Sequence, residues 1–165
     1  MATSVLATRS HEGAEQTLRL QLARHGDHPG ILDGAWWPHS RDLARELPVL
    51  LAVLDPLWGR ITHASVHRAT WPHIPGKVPA AGHILRLGWF DAEQDAHTIS
   101  LLSYTVGRWD LLVVPPPASP DAAAWAMDAA CAPDNTCTAS ALVDAMEHVT
   151  MSPLPARSFC TPEQR

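Results

Sequence analysis

The sequence predicts an α+β fold: a mainly antiparallel sheet of five or six strands with three helices packed largely on one face. Three observations carry this expectation. Leu43, Leu47, Leu50, Leu51 and Leu54 recur at the spacing of one face of an amphipathic helix. Residues 83–90, 97–104 and 108–114 have strand composition and are joined by connections too short for a crossover, so they are expected to pair as antiparallel neighbours. Two further helical segments then follow a proline run, one over residues 120–131 and one behind Thr138.

Taken in order, the first strand is expected over residues 17–24, where Leu18, Leu20 and Leu22 alternate with Arg19, Gln21 and Ala23. Residues 25–30 have turn chemistry, and 31–37 return as a short second strand closed by Pro38. Ser40 is the expected N-cap of the leucine helix, and Asp42 places negative charge in its first turn. Pro48 removes a backbone bond and clashes with the carbonyl of Ala44, which predicts a kink or two abutting helices, ending at Asp55 and Pro56. Residues 59–68 are rich in β-branched side chains and form the next strand. The segment 71–79 is proline-studded and reads as a loop, a candidate lid. After the three successive strands, Ser119 and Pro120 open one helix, and Thr138 caps the last, which carries Leu142, Val143 and Met146. The polar segments 1–16 and 150–165 are expected to be flexible tails around a single domain over 17–149.

Composition narrows the function classes. A chain of 165 residues, 46% hydrophobic and 18% charged, suits one globular domain with its own core. No apolar run approaches the roughly 20 residues of a membrane helix, so no membrane partner is expected. Residues 1–16 lack the basic start and long apolar block of a secretory signal, and the expected location is the cytoplasm. Cys131, Cys137 and Cys160 are odd in number and lack Cys-x-x-Cys spacing, so free thiols are expected. A net charge of −5 with singly scattered basic residues offers no stripe to neutralise phosphates, which argues against nucleic acid as partner.

The stretch 33–47 places Trp36, Trp37, Arg41 and Arg45 at the start of the leucine helix. Together with Leu111, Leu112, Val113, Val114, Pro115 and Pro116, and with Asn135 ahead of the last helix, it resembles the actinobacterial domain of unknown function 5994 family. The resemblance spans roughly residues 18–146 and implies no activity.

Trp36 and Trp37 are adjacent on a strand, so they point to opposite faces and only one enters the core beside the leucine helix. The other, with Arg41 and Arg45 near free helix amides, suits a small anionic or planar ligand in a groove shared with Trp71. The structural alternative has that tryptophan clamping the loop and Arg41 paired with a carboxylate such as Asp33. Trp37, Arg41, Arg45 and Trp71 are therefore the candidate ligand-binding residues.

No metal site or cofactor is expected. His63 and His67 would lie about 13 Å apart along a strand, too far to share one ion. His25 and His28 flank Asp27 in a glycine- and proline-rich turn that supplies no third ligand. There is neither a nucleophile elbow nor a phosphate-cradling glycine loop. Acid/base chemistry at His73, His97 or Asp110 stays open, because the pairing that tunes such groups is spatial. Arg108 and Asp110 share one side of a strand and suit a cross-strand charge ladder, while Asn135 suits a turn.

The leading expectation is thus a binding or regulatory domain for a small molecule. Two readings stand beside it: a small metal-independent enzyme using histidine on an organic metabolite, and a structural module with a protein partner, as monomer or homodimer. The ten histidines carry a separate consequence: protonating all of them would move the formal charge from −5 to +5. Solubility is expected to fall to a minimum near pH 6, and turbidity of concentrated protein between pH 5 and 8 checks it; uniform solubility across that range would contradict it.

Overall fold

The computed structural model describes residues 3–4, 17–24, 30–90, 95–104 and 107–149. The elements in chain order are β1 (Thr3–Ser4), β2 (Leu20–Leu22), β3 (Gly34–Trp36), α1 (Leu43–Trp58), β4 (Ile61–His67), β5 (Lys77–Ala80), β6 (His83–Phe90), β7 (Thr98–Ser103), β8 (Arg108–Val113), α2 (Pro120–Cys131) and α3 (Ala139–Val149). The fold is α+β, as the sequence predicts. The expected tails and the turn carrying His25 and His28 lie outside the described residues, apart from Thr3–Ser4, which pair with β2.

The sheet departs from expectation in size and direction. Among the described residues its strands number eight, seven of them from Leu20 onward, in the order β1-β2-β3-β8-β7-β4-β6-β5. Two of its pairings are parallel, β3 with β8 and β4 with β6. The extra strand comes from the segment read as a loop. Pro79 cannot donate to a ladder, but β5 is the sheet's edge, where a missing donor costs little. The parallel pairs arise because chain returns between their members: β5 and its approach intervene between β4 and β6, which lets β6 run alongside β4.

The helices do not share one face. On one side, Leu43, Leu47, Leu50, Leu51 and Leu54 of α1 pack with Trp36, Ile61, Leu85, Ile99, Leu101 and Leu111, all fully buried. On the other, α2 and α3 pack their alanines, Leu142, Val143 and Met146 against Leu32, Ala35, Leu112 and Val114. The reason lies in the run from Leu111 to Val114: successive strand residues point to opposite faces, so an unbroken apolar run needs cover on both.

Helix α1 is capped by Asp42, whose carboxylate accepts the Ala44 amide at 3.0 Å. Ser40, the expected cap, instead donates to the buried Glu46 at 2.8 Å. The helix runs unbroken through Pro48 and Pro56. A proline inside a helix costs about 3 kcal/mol, and fully burying leucines on both sides of Pro48 offsets that. At the far end Asp55 accepts the Ile61 amide at 2.9 Å and the His83 Nε2 proton at 2.6 Å, pinning the helix to β4 and β6. Two indole pairs close this layer: Trp58 on Trp109 at 4.7 Å and 3°, and Trp36 on Trp71 at 5.9 Å and 22°.

Helices α2 and α3 start where expected, with Ser119 accepting the Ala122 amide and Thr138 the Ala141 amide. The turn between them uses Asp134, at φ 64°, for its left-handed residue. Asn135 beside it bridges both backbone groups of Cys137, and a Cβ on Gly30 would come within 3.2 Å of it. The expectation of free thiols holds for Cys131 and fails for Cys137, which is disulfide-bonded. Burial, aided by the charge of Asp128, pushes the Cys131 thiol up to about 12, so it packs as a small apolar residue.

Leu51→Ala is expected to destabilise the domain by about 2–5 kcal/mol, because the leucine is fully buried and leaves a cavity under the sheet. Urea unfolding followed by tryptophan fluorescence checks this, and an unchanged midpoint would contradict the packing of α1.

Candidate functional site

The four residues singled out from sequence are not gathered into one groove. Trp36 is the indole that enters the core, and Trp71, 3% exposed, stacks on it there. Trp37 turns to the other face and packs against the α2/α3 layer. Its ring is covered by the Arg19 guanidinium at 3.5 Å, and that guanidinium also donates to the Trp37 and Pro38 carbonyls at 3.0 and 2.8 Å. Arg41 is exposed and donates to the Thr70 carbonyl at 3.2 Å, while Arg45 is exposed on α1. Arg41 thus meets a carbonyl rather than a carboxylate such as Asp33.

A concavity lies elsewhere, on the face opposite α1. Ser100 stands opposite Asp110 across β7 and β8, opposite Ser65 across β7 and β4, and Ser65 stands beside Gly88 of β6. The four form one row across four strands. Their chain neighbours Ile99, Leu101, Ala64, Val66, Leu87, Trp109 and Leu111 point into the α1 core, so pleating turns the row to the other side. Ser65, Gly88 and Ser100 are small, and α2 and α3 reach only as far as β8. The result is a trough of about 490 Å³, walled by Ile31, Leu32, Phe90 and Leu102 and closed at one end by Thr138 and Ala139.

Its polar groups are held by one another. Ser100 donates to Asp110 Oδ1 at 2.5 Å, Arg108 Nε donates to the same oxygen at 3.1 Å, and Arg108 Nη2 donates to Ser100 Oγ at 3.2 Å. Asp110 is placed by its backbone, whose amide donates to Asp33 Oδ2 at 2.8 Å. Arg108 and Asp110 therefore pair with each other, and the cross-strand partner is a serine rather than a further charge.

Asp95 stands at the end where α3 begins. Its carboxylate accepts the Ser140 hydroxyl at 2.7 Å, the Ser140 amide at 3.1 Å and the His97 amide at 2.9 Å. Burial works against its charge, but the Ser140 hydroxyl, the His97 and Ser140 amides and the nearby His97 ring together hold its pKa below the ordinary carboxylate range. Two amides in the first turn of α3 are thus taken, Ser140 by Asp95 and Ala141 by Thr138. Burial also pushes the His97 imidazole below its usual pKa, with Asp95, Asp144 and Glu147 opposing and Arg41 adding to the shift. His97 does not line the trough, and His73 is exposed on the loop before β5.

Sequence reasoning placed Arg108 and Asp110 on one side of a strand but missed Ser65, Gly88 and Ser100. The signal was a small residue between two inward-facing apolar ones in β4 and β7, Ser65 between Ala64 and Val66 and Ser100 between Ile99 and Leu101, while Gly88 has only Leu87 facing inward beside it. It becomes legible only once the strand order is known.

Fold and site together define an α+β domain with one sheet face sealed by a helix and a polar-floored trough on the other. The chain belongs to the family of unknown function (DUF5994), whose model matches residues 19–130. That span holds the whole trough floor and ends before α3. No curated protein and no solved structure matches the chain. Among the described residues no helix is long and apolar enough to cross a membrane, and no three side chains gather as metal ligands.

Because the folded-state pKa of Asp95 is depressed, its charge contributes stability above the unfolded-state value and that contribution is lost as pH falls through the folded value. Asp95→Ala is expected to cost about 1–2 kcal/mol at pH 7 by uncapping α3. The gap to wild type should narrow below about pH 4. Denaturant melts at pH 7 and pH 3 check this; a gap that persists undiminished at pH 3 would show that the carboxylate charge is not what holds α3.

Proposed function

We propose that the domain binds a small organic ligand with a planar or apolar body, and that it takes this ligand in the trough on the open sheet face. One observation carries the reading: a concavity of about 490 Å³ whose floor is kept low by Ser65 and Ser100, with Gly88 beside Ser65 in the same row, while Asp110 and Arg108 are fixed at its side. Ligand sites have this size and this make-up of apolar walls with a few oriented polar groups. The exposed faces of Phe90 and Leu102 offer the body of the ligand a surface to lie on. Hydrogen bonds among Ser100, Asp110 and Arg108 lower the cost of ordering them on binding.

The site expected around Trp37, Arg41, Arg45 and Trp71 has less support, since Trp71 is buried on the far face and Trp37 is covered by Arg19. The enzymatic alternative is also less supported, because none of the residues described as lining the trough is a histidine.

Gly88 supplies the test. A Cβ there would meet only Ser65 Oγ, at 3.9 Å, so a larger side chain enters the trough without displacing the core. Gly88→Leu is expected to fold with a melting temperature within a few degrees of wild type and to lose binding of any ligand that a small-molecule screen by amide NMR finds. Ligands that bind the variant as well as wild type would place the site elsewhere.

A further inference from the structure

The charges beside the trough floor narrow the ligand class, an inference that rests on the trough being the binding site. Arg108 uses Nε and Nη2 to hold Asp110 Oδ1 and Ser100 Oγ at 3.1 and 3.2 Å. These two bonds lie along one edge of the guanidinium. They fix its plane and leave the Nη1 end, the edge that grips a carboxylate in a two-point contact, facing away from Asp110. The Arg108 side chain is 61% exposed, so an incoming anion reaches it without dismantling the pair.

Asp110 is loaded in the complementary way. Both of its side-chain bonds fall on Oδ1, which leaves Oδ2 as an acceptor for a ligand cation. Its side chain keeps 27% exposure. A cation-receiving oxygen and an anion-receiving fork thus stand two residues apart on β8, at the rim of a trough whose walls are apolar.

We propose that the ligand is a zwitterion, a free α-amino acid with an apolar side chain: its carboxylate on the Nη1 end of Arg108, its ammonium on Asp110 Oδ2, and its side chain over Phe90, Leu102 and Ile31. An α-amino acid carries both charges on one carbon, as the trough rim presents both partners side by side. A plain anion fits less well. The Ser140 and Ala141 amides in the first turn of α3 already bond Asp95 and Thr138, and Asp110 and Asp95 outnumber Arg108 at the trough. A plain cation would leave the free edge of Arg108 unused and repelled.

The test uses the whole chain, with calorimetry for affinity and amide NMR to locate the site. The probes are L-phenylalanine, its amide, which lacks the carboxylate, N-acetyl-L-phenylalanine, which lacks the ammonium, and phenol as a neutral planar molecule. L-phenylalanine is expected to shift the Ser65, Gly88 and Ser100 amides and to bind at least tenfold more tightly than either blocked form. Arg108→Gln should bind L-phenylalanine and its amide alike, with its fold confirmed by its melting temperature. Equal binding of all three amino-acid forms by wild type would overturn the zwitterion. Phenol shifting the trough amides while L-phenylalanine does not would overturn the zwitterion and leave the trough as the site. No probe moving those amides would count against both.

Discussion

The burial of the α1 leucine stripe is the constraint from which the rest of the structure follows. Five leucines at full burial cover the sheet from β8 to β5, and every strand beneath them must present its apolar set to that side. A slip of one residue in any strand would exchange its two faces, so the stripe fixes register as well as stability. It also determines what the opposite face shows. Once Ile99 and Leu101 point at α1, Ser100 cannot; once Ala64 and Val66 do, Ser65 cannot.

The second face is only half sealed because α2 is built from small side chains. Ala122, Ala123, Ala126 and Ala130 let α2 lie close on β3 and β2 while α3 lies against β8, but small residues reach no farther sideways. The border of the covered half falls between Leu112 and Asp110, residues two apart that point to the same side of β8. Leu112 is sealed beneath the helices, whereas Asp110 is paired with Ser100 and Arg108 at the edge of the trough. Pairing makes a carboxylate tolerable at such a border, since a half-buried charge without partners is costly.

Much of the fold was legible in the sequence. The periodicity of α1, the caps of α2 and α3, and the existence of three successive strands before α2 are local properties, and local chemistry decides them; the pairing expected between the first two, β6 and β7, does not form, because β4 lies between them. What escaped depended on contacts distant in sequence. Nothing near Val78 tells that Pro79 sits at an edge where its missing donor is harmless. Nothing near Leu112 says which helix covers it, although the unbroken run from Leu111 to Val114 already implied two covered faces, at odds with three helices on one side. The trough was hidden for the same reason: Ser65, Gly88 and Ser100 lie far apart in sequence and become neighbours only through the order β8-β7-β4-β6.

The most conspicuous stretch, from Asp33 to Leu47, turns out to build a joint. Arg19 lies on the Trp37 indole and donates to the Trp37 and Pro38 carbonyls, while Trp37 returns its amide to the Arg19 carbonyl at 2.9 Å. Glu46, buried in α1, draws in the His39 amide and the Ser40 hydroxyl and faces the charge of Arg19. These contacts set the angle at which the chain leaves β3 and enters α1, and thereby where the leucine stripe falls on the sheet. An aromatic beside basic residues at a helix start suits a ligand only if the rings and amides are unoccupied, and here the protein's own side chains fill both roles. Asp42 takes the Ala44 amide, and Arg19 takes the indole face. The groups with capacity left for a ligand are those whose bonds fix them in place without saturating them, and Arg108 and Asp110 meet that condition.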